Sequence, residues 1–232
     1  MKKVLITTLL FLAIFIANAQ TPSTFKFLGI PVGDKSKSEM INILRRKGFV
    51  YDYKYDCLTG EFNGVKSNIF LKEYHGRVNS IGVMDADTRS ENAIRIRYNN
   101  LLEQLQKKDK YYEPGFQAEP IPATENISYE TIVNKKTYDA TLYYNPLDGY
   151  SEEEMTDFYR SLAEEIKAEV GEEEVAKLTE DEKQNLIINK VFDFLHDNTR
   201  WYVTLSIAEF DGEYCISLFY GDMKNFPDGE DL

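Results

Sequence analysis

The stretch "FVYDYKYDC" (49–57) carries an aromatic ring at every second position, Phe49, Tyr51, Tyr53 and Tyr55, and ends on Cys57. A strand with that alternation puts all four rings on one side, and a half-exposed row of tyrosines can stack on sugar rings or seat a protein partner. The same pattern also serves burial, since aromatic strands pack well against a core. Cys57 and Cys215 are the chain's two cysteines. They suffice for one long-range disulfide but not for a disulfide framework, and spacing alone does not decide whether they meet.

Groups suited to catalysis are sparse. A nucleophilic Ser or Cys needs a base, and only His75 and His196 offer the usual one. His75 falls in a hairpin turn and His196 near a helix end, where histidine commonly meets the last carbonyls, and neither has a nucleophile elbow or papain-like cysteine beside it. "DADTRSE" (85–91) opens like a calcium loop on Asp85 and Asp87, but Arg89 replaces the next ligand and Ile96 stands where the bidentate Glu belongs. No metal or other cofactor is expected. With 39 acidic residues, carboxylate pairs at glycosidase separation arise through abundance alone, so a carboxylate-based glycan hydrolase is the second reading of function.

The chain opens on "MKKVLITTLLFLAIFIANAQ", with two lysines, an apolar run from Val4 to Ala17 and the small-residue site Ala17-Asn18-Ala19. This pattern predicts a secretory signal peptide over 1–19, the apolar run being too short to cross about 30 Å of hydrocarbon. Loss of Lys2 and Lys3 would move the net charge from −12 to −14. A chain so acidic repels nucleic acid and anionic lipid, and "RRK" (45–47) and "KKDK" (107–110) are too short to reverse that. The expectation is an exported protein, periplasmic or secreted, with no membrane insertion once the signal is removed.

Four capping boxes position the remaining residues: Ser36 with Glu39, Thr88 with Glu91, Ser151 with Glu154 and Thr179 with Glu182. Each opens a stretch with apolar residues at helical spacing, and Gly48 and Gly171 stand where C-terminal caps belong. Between these four amphipathic helices, Asn63-Gly64, His75-Gly76 and Asp211-Gly212 mark tight hairpins, and "ISYETIV" with "TYDATLYY" suggests a fourth. The predicted class is α+β, an antiparallel sheet of about seven strands built from hairpins, in the order α-βββ-α-ββ-α-α-ββ. Residues 20–112 would hold the first helix, the meander and the second helix. Residues 113–126, in the Pro-rich stretch that begins at 111, would be linker-like, and 127–232 would hold the rest, packed with the first half as one domain.

Two-residue turns also fix register. Through Asn63-Gly64, Phe62 opposes Val65 and Leu58 opposes Ile69; through His75-Gly76, Leu71 opposes Ser80 and Glu73 opposes Val78. One face then carries Leu58, Phe62, Val65, Ile69, Leu71, Val78 and Met84. The other carries Tyr51, Tyr53 and Tyr55 with Cys57, Phe70, Tyr74, Ile81 and Val83, unless a bulge at Gly60 shifts the count. In the last hairpin, Trp201, Val203, Leu205, Ile207, Ile216, Leu218 and Tyr220 form an apolar face, and Tyr202, Thr204, Ser206, Ala208, Cys215, Ser217 and Phe219 form its reverse.

"FKFLGIPVGDKSKSEMINILRRKGF" and the ending "DMKNFPDGEDL" resemble the start and end of small secreted bacterial proteins of unassigned function, a likeness that brings no activity or site residue. The short helix followed by a meander is similar, in architecture only, to β-lactamase-inhibitor-like envelope domains, which implies a protein partner on an open sheet face. This chain departs from them in lacking a lipid-modified cysteine and in its longer helical second half. The first functional expectation is a non-catalytic protein that binds a protein or glycan partner through a sheet face around Tyr51, Tyr53, Tyr55, Phe70 and Tyr74.

Overall fold

Three of the four capping boxes form, at Ser36, Ser151 and Thr179, each hydroxyl accepting from the amide of the Glu three residues on while that Glu accepts in return. The computed structural model describes residues 24–108, 110–114 and 117–226. The expected export signal over 1–19 and the end of the acidic tail lie outside the described residues. In chain order the elements are β1 (Lys26–Phe27), β2 (Ile30–Pro31), α1 (Lys37–Arg46), β3 (Val50–Asp52), β4 (Cys57–Phe62), β5 (Val65–Tyr74), β6 (Arg77–Asp85), α2 (Glu91–Gln106), β7 (Tyr111–Tyr112) and α3 (Ile127–Ile132). They continue with β8 (Asp139–Tyr144), α4 (Glu152–Val170), α5 (Glu172–Lys177), α6 (Glu180–Asn198), β9 (Trp201–Phe210) and β10 (Glu213–Asp222).

The α+β class holds, with a larger antiparallel sheet than expected: eight strands in the order β3-β4-β5-β6-β10-β9-β8-β7, plus the small β1–β2 pair. All three expected two-residue turns form, with positive φ at Asn63, His75 and Asp211 and at the glycine after each. β6 lies against β10, so the two meanders join into one sheet.

The Thr88 box does not form, and its failure explains a second departure. Thr88 donates its hydroxyl to Glu213, and α2 starts after Ser90. Glu91 is thereby free to accept from the amides of Ile127 (2.8 Å) and Ser128 (3.4 Å) and from the Ser128 hydroxyl (2.8 Å). Asn126 accepts from the Tyr129 amide at 2.8 Å. With its orphan amides satisfied this way, "ISYETI" becomes α3 instead of a strand. The fourth hairpin is therefore absent, and β8 pairs with β9 and β7. Nor does 111–126 hang loose: Tyr111–Tyr112 forms the edge strand β7, and Asn99 of α2 makes two hydrogen bonds to the backbone of buried Ile121 (2.8 and 2.9 Å).

The register departs from expectation at one residue. Glu73 pairs Val78, but Lys72 pairs Ser80 and Leu71 pairs Ile81, so Asn79 is an extra residue in β6. That bulge turns Ile81 and Val83 onto the same face as Leu71 and Ile69, and all four are buried. Gly60 is not the bulge. It pairs Ser67 in regular register, and a Cβ placed on it would lie 2.4 Å from the Phe49 ring, so its missing side chain makes room for a buried aromatic.

The core lies between this face and α1, α2 and the N-terminal segment. Met40 and Leu44 of α1 and Ile94, Tyr98, Leu101 and Leu102 of α2 are buried there. Phe25 stacks on Trp201 at 4.6 Å and meets Tyr144 edge-on at 5.5 Å, while Phe27 meets Tyr220 at 5.4 Å. Helices α4, α5 and α6 form an arm inserted between the paired strands β8 and β9. They pack chiefly on one another, through Phe158 against Phe194 (4.8 Å) and buried Leu162 and Ile166. No helix of the described residues is long and apolar enough to cross a membrane.

Candidate binding face

The aromatic row of residues 49–57 is not one strand. β3 ends at Asp52, residues 53–56 turn with Asp56 at φ 51°, and β4 runs back beside β3, pairing Tyr51 with Leu58 and Asp52 with Cys57. Asp52 stabilises the turn by accepting from the Lys54 amide at 2.8 Å. Phe49 and Tyr51 consequently face the core side, Phe49 buried and Tyr51 half-buried. Tyr53 and Tyr55 stand exposed at the turn, 81% and 62% accessible. The expectation that Tyr51, Tyr53 and Tyr55 share a face with Phe70 is corrected, because the reversal at 53–56 breaks the alternation.

Tyr51 has a different local role. Its hydroxyl donates to Asp56 at 2.5 Å, and Asp56 also accepts from Lys37 at 2.5 Å. The hydrogen bond to Asp56 pushes the Tyr51 hydroxyl up to about 12, and the bonds from Lys37 and Tyr51 hold the Asp56 carboxyl below its ordinary range. This network pins the turn to α1.

Cys57 and Cys215 share the outer side of the sheet, but β5 and β6 lie between their strands and both are free thiols. Three strand spacings are about 14 Å, twice the reach of a disulfide, so the bridge is not made. Burial pushes both thiols up, which keeps them protonated and weakly nucleophilic.

The outer face itself is open and differently furnished from the expectation. Tyr112, Tyr143 and Tyr202 lie on neighbouring strands in one register row, and Phe219 continues the line diagonally. Their ring centroids are spaced 5.9, 6.4 and 6.0 Å, and all four are half-exposed. Past Gly82, which pairs both Phe219 and Phe70, the line reaches exposed Phe70 on β5. Tyr74 stands farther along β5, half-buried, its ring 4.0 Å from His75.

Two local features hold the row. A Cβ on Gly221 would come within 2.5 Å of the Tyr202 ring, so glycine lets that ring lie across the neighbouring strand. Tyr112 shares a hydrogen bond of 2.7 Å with Thr199 at the foot of the arm. Burial pushes the Tyr112 and Tyr202 hydroxyls up, so both are neutral donors at any physiological pH. Beside the rings run uncharged polar groups, including the Thr141–Thr204 hydroxyl pair (2.9 Å) and the Thr59–Asn68 pair (2.9 Å).

Sequence reasoning placed Tyr202 and Phe219 on this side but missed Tyr112 and Tyr143. Their signal was the parity of "TYDATLYY", with Asp139, Thr141 and Tyr143 alternating against Ala140, Leu142 and Tyr144.

His75 and His196 are exposed, in the turn and in the last turn of α6 respectively, as the sequence suggested. Asp85 is no calcium ligand: it is buried against Arg89 and Arg97. Among the described residues, no group of three or more potential ligands is placed to hold a metal. Among the described residues, the carboxylates that leave their ordinary range all move down. Glu39, Asp56, Glu125 and Glu182 are held there by hydrogen bonds, and for Glu91 burial is outweighed by Ser128, the Ile127 and Ser128 amides and Arg95. A glycosidase acid must move up. Comparison with protein-family models, curated proteins and solved structures returns no match.

Proposed function

We propose that this chain acts outside the cytoplasm as a non-catalytic carbohydrate-binding protein, holding a polysaccharide strand along the outer face of its sheet. The observation that carries the reading is the line Tyr112–Tyr143–Tyr202–Phe219, with ring spacings near 6 Å. Successive sugar rings present apolar C–H faces on a similar spacing, and aromatic faces take them by stacking while neighbouring hydroxyls satisfy the sugar's own.

Glycan is favoured over protein by what flanks the rings. A protein-binding patch centres on a closely packed apolar core. Here the nearest flanks on β8, β9 and β10 are Thr141, Thr204, Ser206 and Ser217, all polar and uncharged, with a single half-exposed Met84 opposite Ser217 and Asp139 at the end of β8.

The test is retention of the mature protein on insoluble polysaccharides (cellulose, chitin, peptidoglycan) together with a glycan array. Tyr202→Ala combined with Phe219→Ala should lower retention about tenfold or more, at roughly 0.5–1.5 kcal/mol per stacked ring. Equal retention of wild type and double variant, or retention by neither, would sink the reading.

A further inference from the structure

On the opposite side of the sheet, where β1–β2 and α2 meet β7, a cleft of about 500 Å³ opens. That is ordinary volume for a small-molecule site. Its floor is apolar, with Phe27, Phe62, Leu105 and Leu218. Three lysines line it, Lys26 and Lys108 exposed and Lys110 half-buried, in a chain of net charge −12. Among the described residues none of the three is within ion-pair distance of a carboxylate, and Asp148 is the one acid in the lining.

Lys110 is held in place. Its Nζ donates to the Lys26 carbonyl at 3.0 Å and lies 5.2, 5.2 and 5.7 Å from the rings of Phe25, Tyr111 and Tyr144. Asp148 is occupied by the Tyr144 hydroxyl at 3.1 Å. Tyr220, 6% exposed, and Tyr111 also line the cleft, and neither hydroxyl has a hydrogen-bond partner among the described residues. Both hydroxyls open onto the cleft, so a ligand oxygen would take the place of water as their acceptor.

An apolar floor, a fixed ammonium and two unpartnered hydroxyl donors ask for one kind of occupant. We propose that this cleft binds a small amphipathic carboxylate, its apolar body on Phe27, Phe62, Leu105 and Leu218 and its carboxylate on Lys110 and the Tyr111 and Tyr220 hydroxyls. An uncharged alcohol of the same length would forgo the charge-assisted bonds. Lys26 and Lys108 at the mouth raise the local concentration of anions around an otherwise acidic protein. The site lies on the face away from the aromatic line and does not depend on the carbohydrate reading.

The chain has a single tryptophan, Trp201, stacked on the Phe25 ring that Lys110 faces, so its fluorescence reports the cleft. The mature protein is titrated with octanoate and, in parallel, with 1-octanol, with calorimetry as the second readout. Saturable octanoate binding about tenfold or more tighter than octanol, and weakened about tenfold by Lys110→Met, is the expected result. Octanol binding as tightly as octanoate, or no saturable octanoate binding, overturns the proposal. Should Lys110→Met fail to fold by circular dichroism, the Lys26→Gln/Lys108→Gln pair decides. Both positions are exposed, so folding should persist while octanoate affinity and its salt dependence fall; unchanged affinity and salt response would again overturn it.

Discussion

The two faces of the eight-stranded sheet are built from the same strands, residue by alternate residue, yet they have opposite characters. On β9 and β10 the core face holds Val203, Leu205, Ile216, Leu218 and Tyr220, all buried, and the outer face holds Tyr202, Thr204, Ser217 and Phe219, all half-exposed. Each face also has an aromatic ring laid over a glycine: Phe49 over Gly60 on the core side, Tyr202 over Gly221 on the outer side. The shared device serves stability on one face and presentation on the other, which separates what a residue does for folding from what it offers to a ligand.

That contrast yields graded predictions. Deleting Asn79 removes the bulge and forces either Val78 or the Ile81–Val83 pair onto the open face. At roughly 1.5–3 kcal/mol per displaced aliphatic side chain, displacing the pair would cost about 3–6 kcal/mol and displacing Val78 about half that, and urea unfolding should show the loss. Next, Leu205→Ala on the core face should cost about 2–5 kcal/mol and leave polysaccharide retention per folded molecule unchanged. Phe219→Ala on the outer face should cost about 1 kcal/mol while retention falls. Similar losses of stability and of retention for both variants would erase the division between the faces.

The two glycines sharpen it. Gly60→Ala and Gly221→Ala should each destabilise by about 1–3 kcal/mol through overpacking, but only Gly221→Ala should shift sugar binding, because only Tyr202 belongs to the aromatic line. The smallest effect concerns Asp56, whose carboxyl is lower in the folded chain than in the unfolded one. Its contribution is present above the unfolded value and disappears as pH falls through the folded one. Wild type should therefore exceed Asp56→Asn in melting temperature at pH 7, and the two curves should converge in acid; parallel curves down to pH 2 would show that the Lys37–Asp56–Tyr51 network does not stabilise the turn.

Local chemistry was the legible part of this fold. Side chains that bond within three residues, such as Ser36 with Glu39 or Thr179 with Glu182, declare helix starts, and Asn63-Gly64 and Asp211-Gly212 declare turns, because their partners are close in sequence. What escaped was decided at long range. Glu91 chose the amides of Ile127 and Ser128 over a local partner, which made a helix of a stretch that alternates like a strand. Asn79 carries no mark of a bulge, and the turn at 53–56 interrupts an alternation that continues undisturbed in the sequence. Each missed feature moved site residues: the turn dispersed the tyrosines of 49–57, and the pairing of β8 with β9 assembled a different aromatic line from Tyr112, Tyr143 and Tyr202.

The insertion of the arm between β8 and β9 also bears on the order in which the sheet is made. β5 with β6, and β9 with β10, close turns of two residues, whereas β8 must find β9 across residues 145–200. With closure entropy growing as three-halves RT times the logarithm of loop length, the longer search is disfavoured by roughly 3 kcal/mol. Contacts of high sequence separation form late for this reason. The aromatic line spans that seam, so during folding the hairpins exist before the surface does, and the face proposed to grip sugar is completed only when β8 has found β9.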